Sequence, residues 1–261
     1  SMTVILAVGV ERMAKRKGVV RKLVAAEALG STTVILTDKT GTLTMAKMMM
    51  SKIIPFEINE QKLIARALTN ANVLIENPHD DPESWRMNGR IMETALVRSA
   101  GIRGMTFAEI TVKEHVLQSI PFNAVQKFSV SLVKESGKHL LVFFGAPDIL
   151  LEHSSLGPKE KESLLEQVGS LALSGERVLG VASKEIVHSE NFSLKDLKPS
   201  HLAWNGLITF RDPIRPGIKH AISRVSTAGI KTVILTGDHR GTALAVAREI
   251  GMIVDDQSVL D

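Results

Sequence analysis

A carboxylate stands where an apolar run stops in residues 33–44, which read TVILTDKTGTLT. The β-branched run is typical of a strand that is buried in a parallel sheet. An aspartate at the carboxyl end of such a strand can act as a nucleophile toward phosphorus, and the glycine that follows lets the backbone approach a phosphate closely. Asp38 is therefore a candidate phosphoryl acceptor, although a strand-end aspartate more commonly caps a helix or a turn.

A second stretch, TVILTGD at residues 232–238, repeats the first five letters and again ends beside an acidic residue. Strands and helices alternate around it, which predicts parallel pairing of the two stretches with right-handed crossovers. Neighbouring parallel strands end at the same edge, where open α/β sheets bind their ligands. We therefore expect Thr42 and Thr236 to hold phosphoryl oxygens near Asp38, with Mg²⁺ neutralising charge between nucleophile and substrate.

The composition sets the broad class of protein. The chain has 261 residues, of which 44% are hydrophobic and 23% charged, as in a soluble globular protein with one large or two modest domains. The net charge of +4 is too small to indicate a nucleic-acid partner, and none is expected. Because the sequence contains no cysteine, disulfides and thiolate metal sites are excluded.

The first residues combine an apolar run with a basic cluster. TVILAVGV at residues 3–10 is followed, between residues 11 and 22, by six basic side chains and one acidic side chain. Two interpretations fit this pattern: a solvated helix face, or the end of a membrane helix with its basic flank on the cytoplasmic side. The apolar run is far shorter than the roughly 20 residues that span a bilayer.

The middle of the chain predicts an α+β insertion. Residues 76–90 read as a loop, and residues 128–134 and 139–144 as an antiparallel hairpin. Helices are predicted at 60–75, 91–100, 159–173, 217–229 and 240–250, and further strands at 177–183 and 205–210. We therefore predict an α/β fold whose parallel sheet, formed by residues 18–45 and 205–261, is interrupted by an inserted domain at 46–204 with an antiparallel sheet.

The seven residues DKTGTLT at 38–44 are similar to the phosphorylation motif of P-type cation-transporting ATPases. The longer segment AEALGSTTVILTDKTGTLT resembles the link from the fourth membrane helix to that motif in the calcium-pump-like subgroup. GAPD at 145–148 resembles the family's KGAPE motif, and GERVLGVAS resembles its L-R-V-L-A-x-A stretch. RDPIRPGIKHAISRVSTAGIKTVILTGD resembles the DPxR…TGD region, so the resemblance covers nearly the whole chain.

The resemblance implies an incomplete phosphorylation domain of haloacid-dehalogenase type, with residues 1–17 as the end of membrane helix 4 and its stalk. Asp38 would attack the γ-phosphate of ATP to give an aspartyl-phosphate, and Mg²⁺ would be held by the Asp38 carboxylate and the Thr40 backbone carbonyl. The other implied residues of this catalytic and phosphate site are Lys39, Thr42, Thr236, Gly237 and Asp238.

The resemblance also implies a nucleotide pocket in the inserted domain. Glu93 would meet the adenine amino group, Phe122 would stack on the ring, and Lys127 and Arg177 would approach the phosphates, with Gly145 in the GAPD motif. Without the family context, such a phenylalanine is more often a core residue, and such charged residues are more often solvated.

Several positions depart from the family pattern. Phe144 precedes GAPD where the family usually has a lysine, and Ala124 stands where an arginine is common. The usual G-D-P-T-E is replaced by GRIME at 89–93, so we expect weaker nucleotide contacts. The family's GDGxND segment, which completes the metal site, does not occur in this sequence. We therefore expect weak Mg²⁺ binding and a soluble cytoplasmic fragment of a multi-pass membrane pump that binds ATP without transporting ions. Its partners would be the membrane, actuator and remaining phosphorylation domains of the same protein.

Two other functions remain open from the residues. A haloacid-dehalogenase-type phosphatase usually carries a second aspartate two residues after the nucleophile, as acid and then base, and Thr40 occupies that place. This substitution favours a persistent phosphoenzyme over a phosphatase. The other alternative is a non-catalytic nucleotide-binding module, which Phe144 favours. The sequence does not determine the transported ion; the EALGSTTVI run most resembles calcium-pump relatives, with sodium, potassium or proton transport as alternatives.

Overall fold

The computed structural model of the chain describes residues 2–22, 28–110, 116–187, 193–194, 197–237, 240–255 and 258. The helices with named bounds are α1 (Met2–Lys15), α2 (Glu60–Leu68), α3 (Ile91–Ile102), α4 (Phe107–Ile110), α5 (Pro147–Glu152), α6 (Pro158–Leu173), α7 (Ile218–Thr227) and α8 (Arg240–Glu249). The strands are β1 (Val34–Asp38), β2 (Met49–Pro55), β3 (Leu74–Ile75), β4 (Met87–Asn88), β5 (Val116–Asn123), β6 (Phe128–Glu135), β7 (Lys138–Gly145), β8 (Arg177–Ile186), β9 (Ala203–Arg211) and β10 (Lys231–Leu235).

A six-stranded antiparallel sheet forms the centre of the larger part of the chain. Its strand order is β2-β9-β8-β7-β6-β5, and each neighbouring pair runs antiparallel. The predicted hairpin of FSVSLVK and HLLVFF is the pair β6–β7, with Phe128 opposite Gly145. The predicted α/β fold with an antiparallel sheet in its insertion is confirmed by this arrangement.

Both faces of this sheet are covered, which explains the continuous apolar runs in its central strands. In β7, Leu141 and Phe143 pack on one face, while Val142 and Phe144 pack on the other. Helices α2 and α3 cover the face of Phe144, and α5 and α6 cover the face of Phe143. The sheet therefore lies between two apolar cores and is rigid enough to position side chains at its ends.

The two TVILT stretches form the predicted parallel pair, but the predicted burial of β1 is wrong, since its positions alternate between exposed and half-buried in a sheet of two strands. Strand β1 pairs with β10 in a register that sets Val34 opposite Lys231 and Asp38 opposite Leu235. Helix α7 precedes β10 and contacts it, as expected for a strand–helix–strand unit. The carboxyl ends of the two strands therefore lie side by side, and Thr236 follows directly after the residue opposite Asp38.

The pairing predicted for residues 205–210 is wrong. These residues form β9, which lies between β2 and β8 and is antiparallel to both, instead of joining the parallel sheet. Residues 204–210 of this strand are all buried, a pattern shared by parallel strands and by central strands covered on both faces. We therefore propose that the inserted domain ends near Arg211 rather than at residue 204, while the rest of the domain division stays a prediction.

The helix predicted at 60–75 is shorter than expected. Asn59 caps its start by accepting a hydrogen bond from Lys62 N at 2.8 Å, and the helix ends at Leu68. Beyond that end, the amide of buried Asn70 donates to Val142 O at 3.2 Å, and residues 74–75 form β3. Strand β3 pairs with β4, and β4 lies inside the stretch 76–90 that was predicted as a loop. Contacts with the sheet thus override the apolar periodicity of this segment.

The N-terminal segment is helical over Met2–Lys15, and its side chains at Val4, Ile5 and Val8 are exposed. Among the described residues, none of the helices combines the length and the apolar character that a membrane crossing requires. Both interpretations of residues 1–17, a solvated helix and the end of a membrane helix, remain predictions.

Replacing Gly145 by alanine should destabilise the fold. An added Cβ would clash with the carbonyl oxygen of Lys127 and would lie 2.5 Å from Phe128 Cα, because the backbone at the start of β6 closely approaches Gly145. We expect a loss of about 1–3 kcal/mol in the free energy of unfolding, measured by urea denaturation. Gly169→Ala in α6 is the control: a Cβ there meets nothing within 4 Å, so a gain of about 0.5–1 kcal/mol is expected. Equal changes in the free energy of unfolding for the two substitutions would contradict the close approach of the backbone to Gly145.

Candidate functional site

Asp38 lies exposed at the carboxyl end of β1, and a tight turn follows it. The turn spans Lys39–Leu43 and departs from helical geometry at Thr40 (φ −76°, ψ 121°) and at Gly41 (φ 79°, ψ −13°). Gly41 adopts a left-handed conformation that glycine reaches without steric cost. Thr40 and Thr42 are exposed, whereas Lys39 is only 8% exposed. The turn therefore presents a carboxylate and two threonines to solvent and buries the lysine.

The segment DPIR at 212–215 clasps this turn. The hydroxyl of buried Thr44 lies 2.6 Å from Asp212 Oδ2, and the other carboxylate oxygen of Asp212 accepts from Lys47 N at 3.1 Å. Arg215 donates from Nη2 to Gly41 O at 2.6 Å and from its backbone N to Leu43 O at 2.9 Å. Met45 N donates to Pro213 O at 3.0 Å, so the clasp acts through side chains and backbone together.

Sequence reasoning did not assign roles to Thr44, Asp212 and Arg215. The signal is present in the sequence, since RDPIRPG belongs to the stretch that resembles a family motif and Thr44 ends DKTGTLT. What the sequence does not reveal is that the two motifs bind each other across 168 residues. These residues support the geometry of the turn, and Asp38 itself remains free to face solvent.

The second strand end lies beside the first. Thr236 is partly buried and Gly237 is exposed directly after β10. The register of β1 and β10 brings Thr236 to the same edge as Asp38. The remaining predicted residue of this stretch, Asp238, lies outside the described residues.

A separate group of predicted residues meets at the start of α3 and the end of β5. Glu93 is 8% exposed and accepts a hydrogen bond from Asn72 N at 2.9 Å. Arg90 Nη1 lies 4.0 Å from Glu93 Oε1 and donates to Phe122 O at 2.8 Å. The Arg90 guanidinium carbon lies 6.0 Å from the centroid of the Phe122 ring, which is within cation–π range. One arginine thus connects the two residues that were predicted to contact the base.

Lys127 and Gly145 lie at the same end of the sheet as Phe122. Asn123, the residue after Phe122, pairs with Phe128, and Phe128 pairs with Gly145. Lys127 is exposed and has a positive φ of 59°, and its carbonyl accepts from Ala146 N at 2.8 Å. A side chain at position 145 would overlap the backbone of Lys127 and Phe128. Gly145 permits this close approach because it has no side chain.

Arg177 is exposed at the first position of β8. Gly180, three residues further along β8, pairs with Gly145 at the end of β7. Arg177 therefore lies at the end of the sheet that carries Gly145, about 10 Å further along the strand direction. The five predicted nucleotide residues of the insertion, Glu93, Phe122, Lys127, Gly145 and Arg177, are distributed over α3 and the ends of β5 to β8.

Phe144 has a structural role in this arrangement. Its side chain is 5% exposed and belongs to the core between the sheet and helices α2 and α3. Its carbonyl accepts a hydrogen bond from Ser129 Oγ at 3.0 Å. The apolar residue therefore contributes packing beneath the helix that carries Glu93, at a position where the family usually has a charge.

The buried position of Glu93 affects its ionisation. Desolvation raises the pKa of Glu93, and the hydrogen bond from Asn72 and the charge of Arg90 oppose part of this rise. Folding raises the pKa of Glu93, so the protonated carboxyl contributes stability that is fully present below the pKa of the unfolded chain. This contribution is lost as the pH rises through the pKa of the folded chain. The carboxylate therefore destabilises the fold most at neutral and higher pH.

Replacing Glu93 by glutamine should stabilise the chain increasingly as the pH rises. The glutamine oxygen can still accept from Asn72 N, while no charge is buried. We expect the melting temperature of Glu93→Gln, relative to the unsubstituted chain, to increase from mildly acidic to neutral pH and then level off. Glu162→Gln, at an exposed position on α6, is the control and should show no such trend. A difference that stays constant with pH would contradict the assignment.

Thr44→Val should destabilise the clasp. The substitution keeps the shape of the side chain but removes the donor at 2.6 Å from Asp212, leaving a carboxylate oxygen without that partner. We expect a loss of about 1–3 kcal/mol in the free energy of unfolding, measured by urea denaturation. Thr42→Val in the same turn is the control, and as an exposed position it should change stability by less than about 0.5 kcal/mol.

Comparison with known proteins agrees with the family that the antiparallel insertion and the DKTGTLT turn indicate. A family model described as P-type ATPase, cytoplasmic domain N, matches residues 60–217. The chain belongs to the P-type ATPases, as the sequence motifs predicted.

Characterised relatives cover the whole chain at moderate identity. The sodium/potassium-transporting ATPase subunit alpha-A of Artemia franciscana is 30% identical over 100% of this chain and 30% of its own length. The calcium-transporting ATPase of Bacillus subtilis is 30% identical over 100% of this chain and 33% of its own length. Calcium-transporting ATPase 1 of Saccharomyces cerevisiae is 32% identical over 98% of this chain and 30% of its own length. The chain thus spans about a third of the length of these relatives.

Proposed function

We propose that this chain carries the nucleotide-binding and phosphoryl-accepting part of an ATP-driven cation pump. The observation that carries the proposal is the clasped turn after β1, which leaves the Asp38 carboxylate exposed at the strand end. Thr236 reaches the same sheet edge from β10. An exposed carboxylate on a fixed turn, beside hydroxyl donors, suits a nucleophile that attacks phosphorus.

Asp38 would act by attack of one carboxylate oxygen on the γ-phosphorus of ATP. A new oxygen–phosphorus bond forms while the bond from the γ-phosphorus to the bridging oxygen breaks, so ADP leaves with that electron pair. Thr42, Thr236, Gly237 and Asp238 would contact the phosphates, and Lys39 adds positive charge to the same turn. The product on the chain is an aspartyl-phosphate.

Thr40 favours this reaction over a phosphatase. A threonine hydroxyl cannot exchange a proton with the leaving group or with water at neutral pH as a carboxyl group does. Its side chain is exposed two residues after Asp38, where a phosphatase would need its acid and base. Hydrolysis of the aspartyl-phosphate would therefore be slow, which suits a pump that couples the phosphoenzyme to another step.

Mg²⁺ fits this edge as a partial oxygen site. The Asp38 carboxylate and the Thr40 backbone carbonyl are the hard oxygen donors that Mg²⁺ prefers, and Thr40 has an extended conformation. Within the described ranges, no group of three or more His, Cys, Asp or Glu side chains could hold a metal ion. We propose that Asp38 and Thr40 hold Mg²⁺ together with phosphate oxygens and water. The bound ion would offset the charge of the phosphates.

The insertion would bind the rest of the nucleotide. Glu93 would accept from the adenine amino group, and the ring of Phe122, which is 41% exposed, would stack on the base. Lys127 and Arg177 are exposed cations at the same end of the sheet and would approach the phosphates. Gly145 keeps the backbone there free of a side chain.

This chain spans about a third of the length of its relatives. The whole protein would be a multi-pass pump in the cell membrane. This part would lie on the cytoplasmic side and work with the membrane, actuator and remaining phosphorylation domains. The names of the relatives include calcium and sodium/potassium transport, which supports a metal cation as cargo.

Incubation with γ-labelled ATP and Mg²⁺ tests the proposal. We expect hydroxylamine-sensitive label on the chain, because an acyl phosphate forms at Asp38, and no label on Asp38→Asn, which keeps the shape but loses the nucleophile. ATP binding, measured by calorimetry, should persist in Asp38→Asn. Binding without label in the unsubstituted chain would instead support a non-catalytic nucleotide module. Rapid release of phosphate without stable label would support a phosphatase.

A further inference from the structure

Arg90 contacts both residues that were predicted to recognise the base. It occupies the N-cap position of α3 with an extended backbone, but its side chain makes no capping hydrogen bond. The side chain instead donates to the carbonyl of Phe122, 32 residues away, and lies against the ring of that residue. It also lies 4.0 Å from the buried carboxylate of Glu93.

We propose that Arg90 is a specificity-determining positioning residue that holds Phe122 and Glu93 in one arrangement for recognition of an adenine base. This inference rests on the proposed nucleotide-binding function. A base that stacks on Phe122 can donate its amino group to Glu93 only when ring and carboxylate keep a fixed separation. Arg90 contacts both Phe122 and Glu93, so its contacts set the separation between the ring and the carboxylate.

The chemistry of a guanidinium suits this task. It is planar, so it can lie against an aromatic ring while its fork of N–H groups bonds to oxygens in its plane. A lysine ammonium carries the same charge but offers a point contact, so it can satisfy one of these partners and cannot stack in the same way. The side chain of Arg90 is 52% exposed, so it lies at the mouth of the site rather than in the core.

The sequence after Phe122 strengthens the case for Arg90. Residues 123–126 read NAVQ and carry no charge, so the loop itself brings no guanidinium to the ring. Arg90 supplies one from α3, a different element. Glu93 also accepts a hydrogen bond from Asn72 N at 2.9 Å, which fixes the other side of its carboxylate. The main effect of Arg90 would therefore be on the orientation of Phe122.

Base discrimination is the measurement that separates positioning from general stability. We would measure Kd by calorimetry for ATP and for ITP, whose base has a carbonyl in place of the amino group. The variants are Arg90→Ala, Arg90→Lys and Phe122→Ala. Arg86→Ala is the charge-matched control, because Arg86 is highly exposed and its ion-pair partner, Glu76, is not one of the predicted nucleotide residues. Thermal unfolding of each variant checks that it is folded.

We expect the unsubstituted chain to bind ATP about tenfold more tightly than ITP, as one hydrogen bond to a charged group can provide. Arg90→Ala should reduce this ratio to near one, and Arg90→Lys should recover only part of it. Arg86→Ala should leave it unchanged. An unchanged ratio in Arg90→Ala, or an equal loss in Arg86→Ala, would overturn the inference while leaving ATP binding intact. Absence of ATP binding by the unsubstituted chain would overturn the proposed function, and this inference with it.

Discussion

The antiparallel pairing of β2 with β9 brings two distant parts of the chain to one place. Met49 lies opposite Arg211, so the segment that enters the six-stranded sheet and the segment that leaves it run side by side. Asp212 follows directly and meets Thr44, which precedes β2, and Arg215 reaches the carbonyl of Gly41. The geometry of the turn at Lys39–Leu43 therefore depends on a strand pair that belongs to the other sheet.

The same sheet organises the residues that were predicted to bind the nucleotide. Because both of its faces are covered by helices, its central strands cannot bind a ligand through their faces, and only their ends and connecting loops are accessible. Phe122, Lys127 and Gly145 come together through the register of β5, β6 and β7, and Arg177 joins them from β8. Tight packing of Phe143 and Phe144 on opposite faces holds that register, since a shift by one residue would exchange the two cores.

The charged residues among those predicted for the site differ in exposure. Asp38, Lys127 and Arg177 are exposed, where a charged ligand can reach them. Glu93 is buried, and the raised pKa of its carboxyl reflects the cost of keeping it there. Its two polar neighbours, Asn72 and Arg90, offset part of that cost and orient the carboxylate.

The sequence by itself determined the local features. The β-branched TVILT runs predicted two strands and their parallel relation. The strand-like runs FSVSLVK and HLLVFF, joined by the turn ESGK, predicted a hairpin, and DKTGTLT marked the turn that follows β1. Only the tertiary structure decided the pairing of β9, the early end of α2 at Leu68, and the contacts of Arg90 with Phe122 and of Thr44 with Asp212. The physical reason is that a residue pattern reports which positions are apolar and at what period, and not which element covers them. A strand covered on both faces gives the same pattern in either orientation, and contacts between residues 32 or 168 positions apart depend on the packing of every element between them.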